Sequence, residues 1–176
     1  MITFVFLALS IFILAAAVAA LLFAVYSAII APARGSPFAP SREQQIAAMF
    51  DLAGVKPGEL LVDLGSGDGA VLIAAAKRGM RARGVEVNPF FVWYARWRIR
   101  RQGFGHLATV VRGDLFRHPV ADANVIFMYL VPPAMERLAA SFRREASPGT
   151  RIIANLFPLP SWELRQKQDK IFLYHA

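Results

Sequence analysis

The chain reads as an α/β domain on a mostly parallel sheet with helices on both faces, preceded by one N-terminal transmembrane helix. Three observations predict this. From residue 42 onward, short apolar runs of strand length alternate with helix-length amphipathic stretches. A glycine-rich loop, Gly65-Ser66-Gly67-Asp68-Gly69, joins the first such strand to the helix after it. Met1 to Pro32 carry no charged side chain, and all 20 Lys and Arg and all 12 acidic residues follow, so the net charge of +8 belongs to the C-terminal part.

The apolar segment comes first. As a helix, Ile2 to Ala31 rises roughly 45 Å, against about 30 Å of bilayer hydrocarbon. A cleaved signal peptide fits poorly, because no basic residue precedes a run that far exceeds the usual 7–15-residue apolar region. Residues 1–31 are therefore expected to be a transmembrane anchor that meets the lipid bilayer through residues 2–31. Arg34 and Arg42 follow the segment and no Lys or Arg precedes it. The positive-inside rule then puts the globular part on the cytoplasmic side of a single-pass protein, expected in a bacterial inner membrane. Residues 32–40, rich in Pro, Gly and Ser, read as a linker, and 41–176 as the globular domain.

Within that domain Ser41 is the expected N-cap of a helix from Arg42 to Ala53. Lys56-Pro57-Gly58 is a turn before a strand, Leu60 to Leu64. After the glycine loop come a helix (Ala70 to Arg78), a strand (Ala82 to Val87) and a helix (Phe90 to Gln102). Strands at Thr109 to Arg112 and Asn124 to Leu130 follow. Pro132-Pro133 opens a helix to Arg144, and a strand spans Arg151 to Leu156. Lys170 to His175 reads as a last strand, antiparallel beside it. In such sheets ligands bind beyond the carboxyl ends of the strands. That directs attention to Asp63 to Gly69, Glu86 to Pro89, Asp114, and Tyr129 to Pro133.

Composition narrows the chemistry. Without cysteine there is no disulfide, thiolate metal site or Cys nucleophile. The three histidines, His106, His118 and His175, lack a metal-ligand spacing, so no metal is expected.

Gly65-Ser66-Gly67-Asp68-Gly69-Ala70 fits the G-x-G-x-x-A dinucleotide pattern, with Glu86 some way on. The glycines alone do not separate NAD from S-adenosylmethionine. Asp63 and Asp68 do, because acids flanking a pyrophosphate cradle repel it, whereas the methionine end of S-adenosylmethionine carries an ammonium and a sulfonium. Glu86 at the second strand end suits ribose hydroxyls, and Asp114 at the third suits the adenine amino group. The expected cofactor residues are Asp63, Gly65, Ser66, Gly67, Asp68, Gly69, Glu86, Val87, Asn88, Asp114 and Leu115.

From Glu43 to Trp162 the chain resembles the small class I methyltransferases related to membrane-anchored protein-lysine methyltransferases. These include the ones that modify the ATP synthase c-subunit and the adenine nucleotide translocator. The resemblance rests on Leu61-Val62-Asp63-Leu64-Gly65-Ser66-Gly67-Asp68-Gly69, Gly84-Val85-Glu86-Val87-Asn88-Pro89, Gly113-Asp114-Leu115-Phe116, Tyr129-Leu130-Val131-Pro132 and Phe157-Pro158-Leu159-Pro160-Ser161-Trp162. It implies a Rossmann-like class I methyltransferase sheet, S-adenosyl-L-methionine as cofactor, and lysine of a membrane protein as acceptor. Ala70 departs from the family's usual Arg. The short C-terminus is expected to lack the full complement of late strands.

Two residues are candidates at the reaction centre. Tyr129 belongs to the turn Tyr129-Leu130-Val131-Pro132-Pro133, where nucleic-acid N-methyltransferases often carry Asp or Asn before Pro-Pro. Val131 supplies no such group, which argues against base methylation. Glu43 can lie over the cofactor from the first helix. The rival readings are methylation of a lipid or small membrane molecule, a nicotinamide-dependent oxidoreductase, and a non-catalytic membrane scaffold. Basic residues gather at Lys77, Arg78, Arg81 and Arg83 and along the helix with Trp93, Arg96, Trp97 and Arg100. Beside an anchor, anionic lipid explains them better than nucleic acid does.

Overall fold

The computed structural model describes residues 2–25 and 39–176. Helix α1 (Ile2–Val25) has 24 residues, none of them charged, and its described large side chains, such as Phe4, Phe12 and Leu22, are exposed. Its side chains are described without a break only from Phe6 to Leu22. Among the described residues no helix is long and apolar enough to cross a membrane. The last part of the expected anchor, 26–31, and residues 32–38 of the linker, Arg34 included, lie outside the described residues.

The domain follows the alternation in the sequence: α2 (Glu43–Ala53), β1 (Leu60–Leu64), α3 (Ala70–Lys77), β2 (Arg81–Glu86), α4 (Pro89–Arg101) and β3 (Ala108–Arg112). Then come β4 (Val125–Met128), α5 (Pro132–Glu145), β5 (Arg151–Asn155), β6 (Gln166–Gln168) and β7 (Ile171–His175). They form one sheet in the order β3-β2-β1-β4-β5-β7-β6. The first five strands are parallel, and β7 runs antiparallel to both β5 and β6. The order reverses between β1 and β4, so the crevice where such sheets bind ligands opens at the carboxyl end of β1.

Local chemistry sets the element ends. Asn88 caps α4 by accepting from the Phe90 N–H at 2.9 Å, with Pro89 in the first turn. Gly54 ends α2 in the left-handed region at φ 56. Three expectations are corrected. Ser41 is not the N-cap of α2; Arg42 holds that position without a side-chain bond, its carbonyl accepting the first helical N–H, from Ile46. The fourth strand stops at Met128, so Tyr129 and Leu130 lie in the turn beyond it. The late strands are complete, because a tight hairpin needs only the three residues of β6 to pair with β7.

Both faces of the sheet are covered, but unequally. On one, Leu61, Val125, Phe127 and Ile153 pack under Phe50 of α2, Leu72 of α3 and Ile99 of α4. On the other, Val62, Leu64, Ile126 and Met128 meet, among the described residues, one helix, α5, through Met135, Leu138 and Phe142. Leu115, Val120 and Leu159 from connecting loops complete that layer. Arg151 ties α2 down, donating to the carbonyls of Ala53 and Gly54 at 2.9 Å each and pairing with Glu59 at 2.6 Å. A cation there also meets the negative end of the helix dipole.

One close approach controls the site. A Cβ at Gly84 would stand 2.6 Å from the Ser66 Cβ and 2.6 Å from the Leu72 Cδ1. Gly84→Ala should therefore overpack the base of the glycine loop and destabilise the domain by about 1–3 kcal/mol. Thermal melts of the two proteins test this, and an unchanged midpoint would show that the loop yields freely.

Candidate active site

β1 alternates its side chains between the two layers, Leu61 toward α2–α4 and Val62 and Leu64 toward α5. Asp63 thereby faces the α2–α4 side, in register between Gly84 of β2 and Phe127 of β4. It is 3% exposed. Burial above all, and then the nearby carboxylates of Glu86 and Asp68, push its carboxyl well above the ordinary value of 3.8.

The loop that follows runs as a continuation of the ladder. The N–H groups of Gly65 and Ser66 both donate to the Val85 carbonyl, at 2.9 and 3.1 Å. Two glycines are needed for both backbone and space. At Gly69 φ is 77 and a Cβ would meet the Ala95 Cβ at 3.0 Å; at Gly65 φ is 89 and it would meet the Leu130 side chain at 3.2 Å.

Glu86 clamps the crevice. One oxygen accepts from the Gly67 N–H at 3.0 Å and the other from the Asn88 N–H at 2.8 Å. Its two bonds join the loop after β1 to the turn after β2, and each oxygen keeps a lone pair for a ligand. Asp68 is occupied differently. It accepts from the Ala70 N–H at 3.2 Å and forms a short charged pair with Arg98 of α4. Arg98, which the sequence shows only as one member of a basic run, also donates to the Asp68 carbonyl at 2.9 Å. Val87 is half-buried beside Asn88, which is buried. Asp114 is exposed and stabilises its own turn, accepting from the Phe116 N–H at 2.9 Å, while Leu115 is buried. The Gly113 N–H donates to the Glu86 carbonyl at 3.0 Å, which brings the third strand end to the second. All the expected cofactor residues thus lie along three adjacent strand ends.

The opposite flank holds groups that the sequence does not single out. Phe127 and Ile153 face the α2–α4 layer, so strand alternation puts Tyr129 and Asn155 on that same face, one above each. They stand level with each other, one step beyond the Met128–Ala154 pair. Tyr129 is half-buried and Asn155 fully buried. Gln45 of α2 donates through Nε2 to the Asn155 Oδ1 at 3.0 Å, and the Asn155 Nδ2 has no partner. Glu43 is exposed at the start of α2; the residue that reaches the strand end is Gln45. A buried Asn at a strand end was the available signal. Its pairing with a helix 110 positions earlier was not.

The geometry fits a cationic, polyhydroxylated ligand. A buried carboxyl awaits a positive charge, the Ser66 Oγ is buried without a partner, and Glu86 retains acceptor capacity. A pyrophosphate would instead face three carboxylates.

A family model described as the ANTKMT methyltransferase domain matches residues 63–166. A human relative, the lysine N-methyltransferase of the ATP synthase c-subunit, is 38% identical over 126 residues, covering 72% of this chain and 54% of that protein. This chain therefore spans about half the length of that relative. A protein-lysine N-methyltransferase of Saccharolobus islandicus (strain REY15A) is 31% identical over 132 residues, covering 74% of this chain and 82% of that protein. The crystal structure of an RNA methyltransferase from Salinibacter ruber in complex with S-adenosyl-L-homocysteine superposes with a TM-score of 0.73 at 31% identity. It covers 78% of this chain and 92% of that one.

The state of Asp63 has a measurable consequence. A carboxyl whose folded pKa lies above its unfolded value holds its proton more tightly when folded. Stability is therefore full while both states are protonated, and it falls as pH rises from about 3.8 through the raised folded value. Asp63→Asn should abolish that fall. Melting curves of the ligand-free protein from pH 4 upward should diverge, with the variant increasingly the more stable; parallel curves would contradict the assignment.

Proposed function

Because the chain belongs to the ANTKMT methyltransferase domain family, we propose that it is an S-adenosylmethionine-dependent N-methyltransferase acting on lysine of a membrane protein. The observation that carries the cofactor is Asp63, an acid buried at the head of the glycine loop. The acceptor class comes from the relatives named for lysine methylation.

In this reading Asp63 receives the ammonium of the methionine end, and the Ser66 hydroxyl and the close backbone of Gly65 to Gly69 line that end. Glu86 keeps the loop closed and accepts from the ribose hydroxyls. Val87, Asn88, Asp114 and Leu115 border the adenine, and Asp68 holds α3 and α4 in place. Bound there, S-adenosylmethionine supplies a methyl group already activated on a sulfonium, so the protein's task is alignment and exclusion of water.

The acceptor demands more. At pH 7 only about 0.04% of an ordinary lysine is neutral, a proton-removal cost of roughly 4.6 kcal/mol. A half-buried phenol at Tyr129 and the Asn155–Gln45 amides provide a polar lining in an otherwise apolar wall, where desolvation favours the neutral amine. The unpartnered face of the Asn155 amide is the position for an N–H of that amine, if both amides turn over and present Oδ1. Gln45, rather than Glu43, supports it.

The tether belongs to the same proposal. The uncharged run Ile2 to Ala31 supports it: as a helix that whole length would rise roughly 45 Å, against about 30 Å of hydrocarbon. We assign residues 1–31 to a single-pass anchor with 41–176 on the cytoplasmic side. It confines the search to the membrane plane and raises the effective concentration of membrane substrates.

The test has two parts. Calorimetry with S-adenosylhomocysteine and with NADH should show binding of the first alone. Asp63→Ala should abolish it and Glu86→Ala weaken it severely; binding of NADH alone would reject the reading. Tritiated methyl transfer into membranes, followed by protein hydrolysis, should label methyllysine, and label confined to lipid would transfer the assignment to a lipid methyltransferase. Asn155→Ala should cut kcat roughly tenfold, the worth of one hydrogen bond of about 1.4 kcal/mol, with cofactor affinity within about twofold of wild type. Undiminished turnover would remove Asn155 from the acceptor side.

A further inference from the structure

Helix α4 turns Val92, Ala95 and Ile99 inward. Its opposite side is not the solvated polar face expected of a surface helix. Phe90 is 53% exposed, Trp93 61% and Trp97 44%. Their rings are mutually braced: Phe90 stacks on Tyr94 at 6.1 Å, Tyr94 on Trp97 at 5.9 Å, and the Arg101 guanidinium lies 5.2 Å from the Trp97 ring centre. Alongside runs an open cleft of about 670 Å³ between α4 and the edge strand β3, whose arginines are Arg96, Arg100, Arg101 and Arg112 and whose lining has no acid.

These cations differ from the arginines of the domain that are held by acids. Arg78 is paired with Asp51, Arg83 with Asp122, Arg98 with Asp68 and Arg151 with Glu59. Arg96 is fixed to the Val110 carbonyl by two bonds of 2.9 and 2.7 Å. Arg100 and Arg112 make no ion pair with any described residue. Unneutralised guanidinium groups beside exposed indole rings match the chemistry of a phospholipid interface, where anionic headgroups pair with Arg while Trp and Phe sit at headgroup level. Single-stranded nucleic acid fits less well, since it needs free ring faces on which bases stack. Here Tyr94 lies between Phe90 and Trp97, and Trp97 is further covered by Arg101.

We propose that the α4–β3 face, centred on Trp93, Trp97, Arg100 and Arg112, docks the domain on an anionic phospholipid surface. The inference rests on the anchor reading, because residues 26–42 can extend over roughly 60 Å at most, which keeps the domain within reach of the bilayer. Docking converts a free tether into a fixed orientation, with one sheet edge against the headgroups.

The experiment uses the full chain reconstituted in nanodiscs of phosphatidylcholine, or of phosphatidylcholine with 30 mol% phosphatidylglycerol. Trp162→Phe in every protein leaves emission from Trp93 and Trp97 alone. Headgroup spin-labelled lipid should quench that emission strongly in the anionic discs and weakly in the neutral ones, and 1 M salt should remove the difference. Arg100→Glu/Arg112→Glu should lower the ratio of docked to undocked domain about 30-fold or more, at about fivefold for each arginine lost. Equal quenching in both discs, or quenching that the double variant leaves unchanged, overturns the proposal. So does displacement of the signal by single-stranded RNA at physiological salt, which would assign the face to nucleic acid. Retention in the discs after a carbonate wash reports the anchor separately, so that loss of the anchor and loss of docking are read independently. Arg100→Ala, which leaves helix propensity intact, provides a milder variant should the double substitution fail to fold.

Discussion

A carboxyl group buried at the end of the first strand governs this molecule. Burial and two neighbouring acids all favour the neutral form of Asp63, so ionising it without a counter-charge is costly. A fold selected for stability alone would place an apolar residue there, as it does at Val62 and Leu64 on the same strand. Retaining an acid makes sense where a cation completes the site, and the surrounding backbone is arranged for that arrival.

The supporting interactions form a chain outward from that point. Gly84 makes room for Ser66, the ladder to Val85 carries the loop past the strand end, and Glu86 closes the loop against the next turn. Asp68 and Arg98 then lock α4 to the start of α3. The glycine-loop side of the crevice is consequently built from contacts between segments near in sequence. The opposite flank is different. It joins α2, the turn after β4 and the end of β5, which only the folded sheet brings together.

That difference explains what is readable in advance. The glycine loop, Glu86 and Asp114 belong to local strand-to-helix transitions, and strand ends show as apolar runs meeting Gly, Pro or acid. The last strand, β7, is readable and does lie antiparallel beside β5; β6 alone escapes the sequence, because it is three polar, exposed residues with no periodic signal, held by pairing with β7. Ser41 misleads as a cap because the first helical bond is set by where the chain enters the α2 layer. Glu43 shows in the sequence as a charge, whereas the bond from Gln45 to Asn155 depends on the direction of a helix face. For the basic runs, sequence does not separate Arg83, neutralised by Asp122 across 39 positions, from Arg100, which makes no ion pair with any described residue.

The sequence by itself determined the α/β class, the succession of elements in the domain except β6, the uncharged N-terminal segment and the acids at the strand ends. These follow from periodicity, turn chemistry and charge, all short-range properties of the chain. Tertiary structure alone decided which acids are buried, which are paired with arginine, and that an Asn and a Gln meet opposite them. It also decided that the tryptophans of α4 face outward. Burial and pairing depend on distances between residues far apart in sequence, and those distances exist only once the sheet has closed its layers.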